Sequence, residues 1–172
     1  MKRIIILWLI FVMTLSVTGC NINGEIRNDA DVPEDFSFSL TWNTFGISSY
    51  DSQTGKLVKT KDATNPEDYV TYYQLTDEDK AYVYDLIMEL DVNSYPDLYD
   101  PGNGGSEPSM TLILTVYMNG EIKNINARDI ASDFASNNEK GQMFLDTCKN
   151  ISELLMATEE WKALPEYEHF YE

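Results

Sequence analysis

Residues 111–127 read TLILTVYMNGEIKNINA, and this stretch decides the fold. Asn119-Gly120 suits a two-residue reversal, because both central positions of a type I′ turn need positive φ. Folding the chain back there sets Leu114 opposite Ile125 and Leu112 opposite Ala127, with Val116 meeting Lys123. The apolar residues then share one side of the pair, as a sheet with one buried face requires. The expected hairpin is Thr111 to Met118 with Glu121 to Ala127.

Toward the N-terminus, Phe36, Phe38, Leu40 and Trp42 occupy alternate positions, the period of a half-buried strand. Ile47 to Tyr50 and Lys56 to Thr60 flank Asp51-Ser52-Gln53-Thr54-Gly55, where Asp and Gly suit a tight reversal. Tyr69 to Tyr73, rich in aromatic and β-branched residues, reads as a fourth strand. The period then changes. Thr76 is placed to cap a helix whose first turn carries Asp77, Glu78 and Asp79, and Val83, Leu86, Ile87 and Leu90 follow at helical spacing.

An irregular stretch, Asp91 to Ser109, ends that helix and is long for a simple connection. Beyond the hairpin, a second helix is expected from about Asn138 to Met156, with Phe144, Cys148, Ile151 and Leu155 on one stripe. Trp161 and Leu164 extend it briefly before Pro165. The expected fold is α+β: an antiparallel sheet of about six strands, ordered β-meander, helix, β-hairpin, helix, with two helices packed on one face. Hairpin signals fix neighbours within each group but not the full strand order.

The start of the chain is built differently. Lys2 and Arg3 precede an apolar run from Ile4 to Leu15, and small residues follow up to Cys20. This is the layout of an export signal, and the run falls short of the roughly 20 apolar residues of a permanent span. Leu15-Ser16-Val17-Thr18-Gly19-Cys20 resembles the lipobox of bacterial lipoproteins. The resemblance implies cleavage between Gly19 and Cys20, and a diacylglycerol on the Cys20 thiol that anchors the chain to the outer face of the cell membrane. Two acyl chains suffice for stable attachment where one is marginal. The segment from Trp42 to Asp51 is similar to small uncharacterised lipoproteins of Gram-positive bacteria. The expected organisation is a signal peptide at 1–19, an acidic tether at 20–35, one domain at 36–165 and a peripheral tail at 166–172.

Charge narrows the partners. The whole chain carries −17, and loss of the cations Lys2 and Arg3 with the signal takes it to −19. Phosphate backbones repel such a surface, so nucleic acid is not an expected partner. With Cys20 acylated, Cys148 has no disulfide partner and is expected as a small core residue.

Catalytic chemistry finds little support. The single histidine, His169, stands in the tail, and HExxH, paired CxxC, GxSxG and phosphate-loop patterns are absent from the sequence. No catalytic residue, metal site or cofactor is assigned. Asp91-Val92-Asn93-Ser94-Tyr95 starts like an EF-hand loop but lacks its turn glycine and closing glutamate, leaving Asp97, Asp100 and Asn103 as oxygen donors for an irregular site at most. Tyrosines gather at 69, 72, 73, 82, 84, 95 and 99. Their rigid rings and polar tips suit either sheet margins or contacts, and Tyr95 and Tyr99 are the expected ligand or partner contacts. The expectation is a non-enzymatic binding domain for an extracellular protein or glycan. A carboxylate-dependent glycan hydrolase of the cell envelope and a structural envelope component stay open beside it.

Overall fold

A computed structural model describes residues 32–44, 46–60 and 68–166. The expected signal peptide, the expected anchor at Cys20, residues 20–31 of the expected tether and the tail after residue 166 lie outside the described residues. Strands β1 (Ser37–Trp42), β2 (Ser48–Asp51), β3 (Lys56–Thr60) and β4 (Asp68–Tyr72) precede helix α1 (Asp77–Leu90). Strands β5 (Met110–Met118) and β6 (Glu121–Ile130) follow, then helices α2 (Glu139–Met156) and α3 (Glu159–Lys162).

All pairings are antiparallel, and the six strands run in the order β4-β3-β2-β1-β5-β6. The hairpin register is the one the apolar pattern requires, with Leu114 opposite Ile125, Leu112 opposite Ala127 and Val116 opposite Lys123. Asn119 and Gly120 both have positive φ at the turn, and the Gly120 N–H donates to the Asp35 carboxylate, tying the start of the domain to the hairpin. Pairing across the sheet lines up one inward row: Thr71, Leu57, Tyr50, Leu40, Leu114, Ile125. From Leu57 to Ile125 every member of that row is buried, each large apolar side chain contributing roughly 1.5–3 kcal/mol.

Both long helices cover this inner face. Thr76 caps α1 by accepting the Asp79 N–H, while the Asp79 carboxylate takes the Thr76 N–H and the Tyr73 hydroxyl. That box fixes how the chain leaves β4 for the helix. Val83, Ile87 and Leu90 of α1 and Phe144, Leu145, Cys148, Ile151 and Leu155 of α2 enter one core with the strands. Trp161 of α3 packs against Trp42 in a tilted pair at 5.6 Å between ring centroids and covers the inward Lys59, which also pairs with Glu166 at 3.6 Å.

The stretch from Asp91 to Ser109 is tied down along its length. A 3-10 turn spans Val92–Ser94, the Tyr95 hydroxyl donates to the Lys140 carbonyl at 2.9 Å, and Asp97 and Tyr99 bond the backbone of Asn126 on the outer edge of β6. Strand β6 runs three residues beyond the expected Ala127. Leu112 pairs with Ala127 and Met110 with Ile130, so Arg128 and Asp129 together oppose Thr111 as a β-bulge, with Asp129 at φ 55°.

Candidate functional site

Helices α1 and α2 lie side by side, and each carries a second stripe beside the one it buries. On α2 this stripe is Glu139, Gln142, Met143, Asp146, Thr147 and Asn150, spaced by three and four residues; on α1 it is Leu86 and Glu89. Between them lies a groove of about 420 Å3. Leu86 packs against the core from below while remaining partly exposed, and Met143 is 44% exposed, so the floor is apolar and open.

The groove wall is held in place. Gln142 accepts the Ser136 N–H at 2.8 Å and donates to the Phe134 carbonyl and the Asp146 carboxylate, at 3.0 and 2.8 Å. Asn138 caps α2 through the N–H groups of Lys140 and Gly141. These bonds join the preceding loop to the first turns of α2, and Gln142 supplies a hydrogen-bond donor to the Asp146 carboxylate.

A second concavity, about 510 Å3, opens at the β6 bulge between Tyr99, Asp100, Arg128 and Asp129, with Leu98 standing 79% exposed at its rim. Its charges are of both signs and partly answered within the fold: Arg128 donates to the Asn126 side chain, and Asp129 accepts the Ser109 hydroxyl. The Tyr99 hydroxyl and the Asn103 side-chain amide oxygen are buried nearby without hydrogen-bond partners among the described residues.

The two tyrosines singled out from the sequence do meet. Tyr95 and Tyr99 pack edge to face at 4.9 Å, and both rings reach Phe144 of α2. Tyr95 is only 3% exposed, leaving almost no surface for a partner, and burial pushes its hydroxyl up to about 12. Tyr99 is half-buried at the bulge concavity, its hydroxyl also raised by burial and then by Asp100. Cys148 is fully buried in the core, which raises its thiol well above the ordinary range. Asp97 is taken by Lys123 at 2.7 Å, and Asp100 accepts the Gly102 N–H. Among the described residues no three His, Cys, Asp or Glu side chains are grouped to hold a metal ion.

Sequence reading missed the groove. Leu86 fell on the expected buried stripe, Met143 lies one step off the stripe assigned to α2, and only the pairing of α1 with α2 brings them together. No family model matches the chain, and no curated protein matches it. Fold and groove define the class: an α+β domain whose open antiparallel sheet carries its helices on one face.

Proposed function

We propose that the chain is a bacterial lipoprotein, anchored by diacylglycerol on Cys20 to the outer face of the cell membrane, whose α+β domain binds an extracellular partner without catalysing a reaction. The anchor rests on the order of Lys2, Arg3, the apolar run and the lipobox ending at Gly19-Cys20. The observation that carries the binding reading is the open apolar floor of Leu86 and Met143 between two otherwise closely packed helices. A partner side chain seated there removes apolar surface from water on both molecules. The one thiol among the described residues is sealed in the core and held protonated, which removes it as a nucleophile.

Two measurements test the two halves of the proposal. Metabolic labelling with a fatty acid is expected to mark the parent chain and not Cys20→Ala, and equal label in both, or none in the parent, overturns the anchor. A photo-crosslinking residue placed at 143 in the full-length lipoprotein on intact cells is expected to give discrete adducts, and the same residue at Ile122, on the β6 edge and 69% exposed, is not. No adduct at 143, or an identical pattern at both positions, overturns the binding site.

A further inference from the structure

The charge around the α1–α2 groove specifies what it accepts. Its apolar floor is bounded by the carboxylates of Glu89 and Glu139 and by Asp146, and among the described residues no cation lines it. The cations of α2 are engaged elsewhere: Lys140 donates to the Ser94 carbonyl at 2.6 Å and lies 4.4 Å from the Tyr95 ring, and Lys149 faces Glu153. Asp146 is presented by Gln142, so the rim charge is positioned before any ligand arrives.

We infer that this groove docks a cationic amphipathic helix, a partner segment whose apolar stripe covers Leu86 and Met143 and whose Lys or Arg residues meet the three carboxylates. The inference rests on the binding reading above and names the partner's chemistry. A helix laid between two helices presents side chains at three- and four-residue spacing, matching the stripe from Glu139 to Asn150. Met143 is unbranched and polarisable, so it moulds to a range of apolar side chains. An anionic chain is repelled by the rim, and a neutral polar ligand leaves the apolar floor unanswered. The surplus of negative charge on the rest of the molecule raises the encounter rate for a cationic segment but gives no site preference.

The test separates the groove from that bulk charge. The mature chain from residue 20, unacylated, is titrated with a fluorescent 14-residue Leu/Lys helical peptide and with its Leu/Glu counterpart. The Leu/Lys peptide is expected to bind and the Leu/Glu peptide not. The triple variant Glu89→Gln, Glu139→Gln, Asp146→Asn is expected to weaken binding about tenfold. A control with the same net charge, Glu78→Gln, Glu107→Gln, Glu121→Gln, is expected to bind within about twofold of the parent, each of its positions being exposed and off the groove. Met143→Ser is expected to weaken binding while leaving its salt dependence unchanged.

Equal losses in the two triples, no Leu/Lys binding, or equal binding of both peptides overturns the inference. Circular dichroism melts accompany every variant; if one triple does not fold, the three single substitutions from it replace it and are compared in the same way. Crosslinks at 143 on cells combined with no Leu/Lys binding leave the binding reading standing and remove the cationic class alone.

Discussion

Gly141 lies in the first turn of α2, where a glycine weakens a helix by roughly 1 kcal/mol relative to alanine. Its presence has a tertiary cause. A Cβ at this position would collide with the carbonyl oxygen of Pro101 and the hydroxyl of Ser136, which already donates to that same carbonyl. The obstacle is backbone held on either side by the bonds of Tyr99 and Asn103 to β6 and the residue after it, so it yields less than a side chain would. Overpacking of this kind costs about 1–3 kcal/mol, exceeding the propensity gain. Gly141→Ala is therefore expected to lower the urea midpoint, with an unchanged slope, by the equivalent of about 1 kcal/mol; a raised midpoint would show that the loop is not seated on α2. None of this was legible locally, because Pro101 is remote in sequence. Tyr95 was ambiguous for a different reason: a rigid ring with a polar tip suits a core margin as well as an interface. The Lys140 carbonyl, which accepts its hydroxyl, decided between them.

Elements with a strong period were readable almost to the residue. β1, β5 and α1 begin and end within one residue of where alternation or helical spacing sets them, since Phe38, Leu40 and Trp42 have one phase and Val83, Ile87 and Leu90 another. The extension of β6 was harder. Ile125 and Ala127 keep a two-residue step to the core, whereas Ile130 lies three beyond Ala127 and is buried only because the bulge absorbs Arg128 and Asp129. That spacing is visible in the sequence, but it signals a bulge only once Met110 is known to be the partner. The groove was hidden for a related reason. Periodicity fixes which stripe of each helix is apolar, yet Leu86 remains partly open because of how α1 sits against α2, a relation between elements that neither helix encodes alone.

At the scale of the molecule, strand order was the missing relation. Turn signals grouped β1 to β4 and joined β5 to β6, but β1 and β4 each offered an edge, and β5 takes the one beside β1. This choice continues the row of Tyr50 and Leu40 into Leu114 on the inner face, with Tyr50 bonded to the Tyr73 carbonyl at 3.1 Å. One outcome is a core whose margins hold several tyrosines away from water. Burial, followed by Asp51 and Asp79, pushes the Tyr50 hydroxyl up to about 12, and burial does the same for Tyr95. Tyr73 is raised too, by burial and then by its bond to Asp79, and Tyr99 by burial and Asp100. In the unfolded chain these groups ionise near the ordinary value of about 10, while in the folded chain they keep their protons. The unfolded state therefore binds fewer protons above that pH, and stability, fully present below about pH 10, must fall as the pH rises toward about 12. Urea unfolding across that window is expected to show a steadily dropping midpoint. Tyr50→Phe should be less stable at neutral pH through loss of the Tyr73 bond, yet lose less further stability on the alkaline side. Parallel profiles for the two chains would mean that Tyr50 ionises as readily folded as unfolded, and would contradict its burial against Phe38 and Tyr73.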